Sequence, residues 1–226
     1  MSRVRSKMGF RMKLALVVMT VFAVVCCRSV PRGSDAVSGA SVSGVSGTVT
    51  AGNLEALQTG KAILVAYYSQ GANTTRVAEE LAELLGADAE RIVEKTNRSG
   101  LLGFLSAGAD SSMGKLGNID APSRDPSAYD LVIVCTPVWA WHVSPPAHAY
   151  LALAKERLPS VAFVVVSAAT EPREIVKSME EISGKAAVAS AGFVDEDFSA
   201  KNRARYDAKI ADFLAQLRRS GVLSQT

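Results

Sequence analysis

Hydroxyl, amide and glycine residues follow the apolar run at residues 62–68, where the pattern changes to that of an amphipathic helix. Backbone N–H groups at a helix N-terminus lack internal partners and carry the positive end of the helix dipole, which suits them to phosphate. The hydroxyl of Thr75 is a further donor, and no basic residue of the loop precedes Arg76, so we predict a neutral cradle. The predicted phosphate-binding residues are Ser69, Gln70, Gly71, Ala72, Asn73 and Thr74.

Helix capping is a simpler interpretation of the same loop. In that interpretation Asn73 or Thr74 only caps the helix, and Ser69 and Gly71 only form the turn. The residue types of this segment leave both interpretations open.

A second chemically capable cluster lies in residues 129–151, after another apolar run. Both tryptophans of the chain occur there, in a predicted loop, and exposed indoles favour a flat heteroaromatic partner. The alternative is a hydrophobic lid that packs on the domain or on a partner. The predicted binding residues of this segment are Thr136, Pro137, Val138, Trp139, Ala140, Trp141 and His142.

Strand-like runs and helix-like segments alternate along the rest of the chain and position both clusters. We predict strands at residues 62–68, 89–93, 131–137, 161–167 and 186–191, and helices at 75–85, 145–157, 173–184 and 204–217. This alternation predicts an α/β fold with a doubly wound, five-stranded parallel sheet of order 2-1-3-4-5. A crevice then opens at the carboxyl ends of strands one and three, next to both clusters.

Several other features have a predicted place in this fold. The long connection at residues 94–130 is rich in Gly, Leu and Ser between 100 and 117, and we expect a partly helical excursion near the crevice. Cys135 lies in a predicted buried strand, which favours a core residue over a reactive thiol. His148 belongs to a predicted helix, and His142 lies at the crevice. We expect neither a metal site nor a catalytic triad.

The first 27 residues have the pattern of an export signal. Five positive charges precede the apolar run at residues 14–25, which is shorter than a membrane span of about 20 residues. Cys26 and Cys27 resemble the modified cysteine of bacterial lipoproteins, although Val25 stands where a small residue is usual. Lipid anchoring, simple cleavage and an uncleaved anchor are all compatible with this pattern.

Residues 28–60 form a predicted flexible tether, because their Ser, Gly, Ala and Val cannot bury enough surface to offset chain entropy. Residues 61–226 are then the folded domain, which we expect to be exported and held at a bacterial membrane. The chain has a net charge of +3, and removing the five N-terminal charges leaves about −2. This balance argues against nucleic-acid binding.

Two motifs resemble the flavodoxin-like family of FMN-binding proteins. They are YYS-x-x-x-N-T at residues 67–74 and YD-L-V-I-V-x-TPVW-A at residues 129–140, which S-P-P follows, and the resemblance covers residues 61–218. It implies noncovalent FMN with its phosphate on Ser69, Gln70, Asn73 and Thr74. It also implies an isoalloxazine ring between the 137–142 loop and the loop after the fourth strand, which adds Ser167, Ala168 and Ala169 to the cofactor-binding residues.

Two loops depart from the family pattern. The phosphate loop usually reads S-x-T-G-N-T, whereas this chain has Gly71 and Ala72 in place of the Thr and Gly. One hydroxyl is lost, and a Cβ stands where the backbone approaches the phosphate closely. Residues 167–172 also lack the glycines common in the third loop. These departures predict a weakened FMN affinity.

Two functions are therefore expected. The first is a flavodoxin-like redox protein that uses FMN to pass electrons or hydride to an acceptor such as a quinone. The alternative is a membrane-tethered binding module that has lost or weakened FMN binding. Motifs for nucleoside triphosphates, dinucleotides and serine hydrolysis are absent from the sequence.

Overall fold

In the computed structural model, the apolar runs form parallel strands that helices cover on both faces. The strands are β1 (Ile63–Tyr67), β2 (Asp88–Arg91), β3 (Leu131–Trp139), β4 (His142–Val143), β5 (Ser160–Ser167) and β6 (Ala187–Val194). The sheet has the order β2-β1-β3-β5-β6, while the two-residue β4 pairs antiparallel with β3. The predicted doubly wound order 2-1-3-4-5 is confirmed, since β4 only extends β3 into a hairpin.

The α-helices whose bounds are described are α1 (Ala72–Leu85), α2 (Pro145–Ala154), α3 (Arg173–Ser183) and α4 (Arg203–Arg219). Ile63 and Val65 of β1 face α1 and α4, whereas Leu64 and Ala66 face α2 and α3. Burial on both faces explains the uninterrupted apolar runs. One apolar stripe of α4 is buried against the sheet: Tyr206, Ile210, Phe213, Leu214 and Leu217.

The boundaries differ from prediction where local contacts decide them. Helix α1 begins at Ala72, three residues before the predicted start, because Gly71 is its N-cap. It ends at Leu85 as predicted, and its C-cap Gly86 has a φ of 59°. Strand β3 extends to Trp139 through its pairing with β4. Strand β6 is longer than predicted because it pairs with β5 as far as Val194.

The structure describes residues 60–96, 110, 113–114, 116–168 and 173–223, all within one compact unit, Thr48–Thr226. The export signal and nearly all of the predicted tether therefore lie outside the described residues. Within the described ranges, no helix is both long enough and apolar enough to span a membrane.

In the connection between β2 and β3, the first residues after β2 lie alongside a later part of the same connection, near Asn118. Lys95 N–H donates to the Asn118 carbonyl at 2.8 Å, and Gly117 N–H donates to the Pro145 carbonyl at 2.9 Å. A Cβ on Gly117 would lie 2.7 Å from the Pro146 nitrogen, so this close approach to α2 requires glycine. Most of the predicted excursion at 100–117 lies outside the described residues.

The edge strand β6 receives hydrogen bonds from side chains of α4. The Gln216 amide both accepts from Ser190 N–H at 3.0 Å and donates to the Ser190 carbonyl at 3.1 Å. Lys209 Nζ donates to the Gly192 carbonyl at 2.8 Å. These contacts fix α4 against the edge of the sheet.

Candidate functional site

The loop after β1 presents the N-terminus of α1 without a side-chain cap. The N-cap Gly71 has extended φ and ψ of −121° and −175°, no side chain caps the helix, and its first turn contains no acidic residue. Asn73 and Thr74 lie inside α1, so the interpretation of either as the N-cap is wrong. The first N–H groups of the helix thus remain available to an anion.

Side chains hold two carbonyl groups of this loop. Ser69 Oγ and Thr75 Oγ1 both donate to the Gly71 carbonyl, and Arg91 Nη2 donates to the Ser69 carbonyl at 3.0 Å. In a planar trans peptide, the next N–H points opposite to the carbonyl. The N–H groups of Gln70 and Ala72 are therefore turned away from these donors, which preorganises them as an anion cradle.

Arg91 of β2 adds a positive charge beside the loop that was predicted to form a neutral cradle. The parallel register places Arg91 beside Tyr67, two residues before the loop begins at Ser69. Its side chain then reaches the Ser69 carbonyl. The signal available in the sequence was a basic residue near the end of the strand that was expected to pair with strand one.

An acidic group lies at the other side of the cradle. Asn73 Nδ2 donates to Asp195 Oδ1 at 2.9 Å, and Asp195 opens the 3₁₀-helix Asp195–Phe198 after β6. Burial raises the pKa of Asp195, and the hydrogen bond from Asn73 opposes that shift. The Asn73 amide is thus engaged by a carboxylate that sequence reasoning missed, 122 residues away.

The tryptophan segment is a tight hairpin rather than an open loop. Trp139 pairs with His142, and the two residues between them have positive φ, 47° at Ala140 and 63° at Trp141. Two-residue hairpins favour such turns, but they normally place Asn or Gly there. The Trp141 side chain is 61% exposed, whereas Trp139 is half-buried.

Tyr68 connects the two predicted segments. Its ring meets that of Trp139 edge to face, with 5.5 Å between centroids and an interplanar angle of 80°. Its hydroxyl donates to Glu94 Oε2 at 2.8 Å, and its N–H donates to the Cys135 carbonyl at 3.1 Å. Because Tyr68 directly precedes Ser69, one residue links the phosphate loop to the Trp139 ring.

The base of the hairpin is held by a buried hydroxyl pair. Thr136 Oγ1 and Ser144 Oγ lie 2.8 Å apart, and Thr136 Oγ1 also donates to the Pro137 carbonyl. The Thr136 hydroxyl is therefore engaged within the protein. Ser144 is the N-cap of α2, and Pro145 lies in its first turn.

The remaining predicted residues differ in their burial and in the elements to which they belong. Cys135 is buried and burial raises its pKa, which confirms a core residue. His148 lies within α2, as predicted, and His142 is exposed at the hairpin. Pro137 and Val138 are half-buried in β3. Among the described residues, no group of His, Cys, Asp or Glu is arranged to hold a metal.

The third loop begins at the same edge of the sheet. Ser167 ends β5 and is buried, Ala168 is half-buried, and Ala169 lies outside the described residues. Val166 pairs with Pro137, so the ends of β5 and β3 are neighbours. The carboxyl edge thus brings together the starts of all three predicted binding segments.

The residues at this edge fit a phosphate group and a flat ring. The uncapped amides at the start of α1 form a donor set for phosphate, and the Arg91 guanidinium lies on the carbonyl side of the peptide between Ser69 and Gln70. Apart from its chain neighbours, no heavy atom lies within 4 Å of a Cβ built on Gly71, so the space beside this residue is open. Trp139 and Trp141 supply aromatic surface beside it.

No protein-family model matches this chain, and no curated protein matches it at a significant level. A flavoprotein from Lactobacillus acidophilus NCFM, solved in complex with FMN, is 21% identical with a TM-score of 0.52, over 61% of this chain and 95% of that chain. A candidate flavoprotein from Bacteroides eggerthii is 19% identical with a TM-score of 0.50, over 67% of this chain and 98% of that one. The likeness shows a flavodoxin-like α/β fold.

Proposed function

We propose that this chain is an FMN-binding redox protein that passes electrons or hydride from a reduced donor to an acceptor such as a quinone. One observation carries the proposal: the uncapped N-terminus of α1 and the tryptophan hairpin occur at the carboxyl ends of neighbouring strands β1 and β3. Doubly wound folds bind ligands at this point of the sheet. The FMN complex of the L. acidophilus flavoprotein, with its similar fold, also supports it.

Each segment has a distinct part in holding the cofactor. The amides of residues 70–74 and the Thr74 hydroxyl would bind the phosphate, while the Ser69 hydroxyl holds the Gly71 carbonyl. Trp139 and Trp141 would flank the ring and exclude water, while backbone N–H groups near Ala140 and Ala168 contact its polar atoms. When bound, FMN supplies the electron and hydride chemistry.

A titration with FMN tests this proposal. Binding should quench flavin fluorescence and give a yellow protein after gel filtration, because the indoles stack against the ring. Trp139→Ala should weaken the quenching. An absence of binding at about 50 μM FMN, equivalent to about −6 kcal/mol, would remove the proposal.

A second candidate is a binding module that has lost FMN. Two observations favour it: the 61% exposure of Trp141, and the Asp195 carboxylate on Asn73 of the cradle. The predicted membrane tether belongs to this candidate and equally to the first, and it stays a proposal. Recovery of the full chain in the membrane fraction, and its release by replacing Cys26 and Cys27 with Ser, would support the tether.

A further inference from the structure

Arg91 occupies an unusual place for an exposed arginine. It ends β2 at the carboxyl edge of the sheet, and its Nη2 donates to the Ser69 carbonyl at 3.0 Å. Among the described residues, no carboxylate forms an ion pair with this guanidinium, and the ion pair of β2 is made by Asp88 at its opposite end. The Arg91 guanidinium thus contacts the first residue of the loop.

Strand pairing does not require this side-chain contact. Ile92 N–H already donates to the Tyr67 carbonyl at 2.7 Å, which ties the end of β2 to β1. The Arg91 bond is an additional link, to the first residue of the cradle. It fixes the peptide plane between Ser69 and Gln70, and so the direction of the Gln70 N–H.

The guanidinium also changes the charge of the cradle. The loop itself is neutral, and the Asp195 carboxylate lies on its Asn73 side. A positive charge on the Ser69 side offsets that carboxylate when a dianionic phosphate approaches. Arginine suits this role because it remains protonated and keeps further N–H donors in a rigid fork.

We propose that Arg91 is a positioning residue for the phosphate end of the flavin site, and that it makes the site select a phosphorylated flavin over riboflavin. The inference rests on the proposed function. Arg91 acts through the Ser69 carbonyl and through its charge. Its contribution therefore depends on the phosphate and leaves contacts to the isoalloxazine ring unchanged.

The test compares FMN and riboflavin dissociation constants for the wild type and for three variants. Arg91→Met removes donor and charge, Arg91→Gln keeps a neutral donor, and Arg91→Lys keeps the charge. Arg91→Met should weaken FMN binding about tenfold and leave riboflavin binding unchanged, while Arg91→Lys restores part of the loss. Raising the salt concentration should reduce the difference between wild type and Arg91→Gln.

Arg124→Met is the matched control. Arg124 donates to Asp88 and Tyr129 at the amino end of β2, away from the cradle, so the ratio of the two affinities should not change. The inference is overturned if Arg91→Met leaves that ratio unchanged, or if it weakens both flavins equally.

A second readout separates this inference from the proposed function. Inorganic phosphate is titrated against the wild type and Arg91→Met, and the amide NMR signals of residues 70–74 are followed. If the wild type binds neither flavin, the proposed function fails. Phosphate-induced shifts that Arg91→Met loses would still support the role of Arg91, whereas no shifts in the wild type, or equal shifts in both, would overturn it.

Discussion

Trp141 stands at a backbone position that glycine normally occupies. Its φ of 63° follows a φ of 47° at Ala140, so two successive residues with side chains adopt the left-handed region. This conformation costs about 1–2 kcal/mol for a residue with a Cβ. Such strain persists only where surrounding contacts enforce it, here the pairing of Trp139 with His142 and of Val138 with Val143.

Replacing Trp141 separates backbone strain from the role of the indole. Trp141→Gly and Trp141→Ala both remove the ring, but only glycine relieves the left-handed backbone. We expect Trp141→Gly to be more stable than Trp141→Ala by about 1 kcal/mol, as measured by chemical denaturation. Equal stability of the two variants would mean that the turn is unstrained. Both variants should show weaker flavin quenching than the wild type.

At the scale of elements, the segment after β6 packs against the start of α1. Asp195 accepts from Asn73, and Arg76 donates to the Phe198 carbonyl at 3.5 Å and lies over the Tyr206 ring. These contacts hold the 3₁₀-helix Asp195–Phe198 beside the cradle. They also place the Asp195 carboxylate where it opposes an incoming anion.

Asp195→Asn should tighten FMN binding about threefold near neutral pH, because it removes a negative charge while its side-chain oxygen still accepts from Asn73. The pKa of Asp195 is raised, so in the wild type FMN binding and folding stability should both increase as the pH falls through that raised pKa. Asp195→Asn should remove this component of the pH dependence. Because FMN itself titrates near pH 6, the two proteins are compared at each pH. Identical pH profiles for the two proteins would contradict the role of Asp195.

Tyr68 connects elements in a different way, since it joins the end of β1 to the hairpin and to Glu94. Tyr68→Phe retains the ring that meets Trp139 but loses the hydrogen bond to Glu94. We expect a loss of about 1 kcal/mol in stability, an altered near-ultraviolet circular dichroism of Trp139, and weaker flavin quenching.

Tyr129→Phe is the control for that variant. The Tyr129 hydroxyl also donates to a carboxylate at 2.8 Å, that of Asp88, but at the amino end of the sheet. It should lower stability by a similar amount without changing the tryptophan spectrum or the quenching. Equal spectroscopic effects of both variants would show that Tyr68 has no specific effect on Trp139.

At the scale of the whole molecule, local patterns predicted the elements but not the contacts between distant ones. Because both of their faces are buried, β1 and β3 can be recognised in the sequence as apolar runs. The apolar residues of α4 recur at helical spacing. Residues Ser69–Thr74 were likewise predicted to lie between the first strand and the first helix, and they span the end of β1 and the start of α1. Arg91 and Asp195 were missed because only strand register and a contact across 122 residues bring them to the cradle.

The hydrogen bonds from Gln216 of α4 to Ser190 of β6 affect how readily copies of the molecule associate through this edge strand. An edge strand normally exposes unpaired N–H and C=O groups, which recruit strands from other chains and start aggregation. At Ser190 both groups are satisfied by one side chain, and Lys209 covers the Gly192 carbonyl with a positive charge. At the opposite edge, β2 is short and carries Asp88, Glu90 and Arg91. Both edges are thus protected against intermolecular sheet growth.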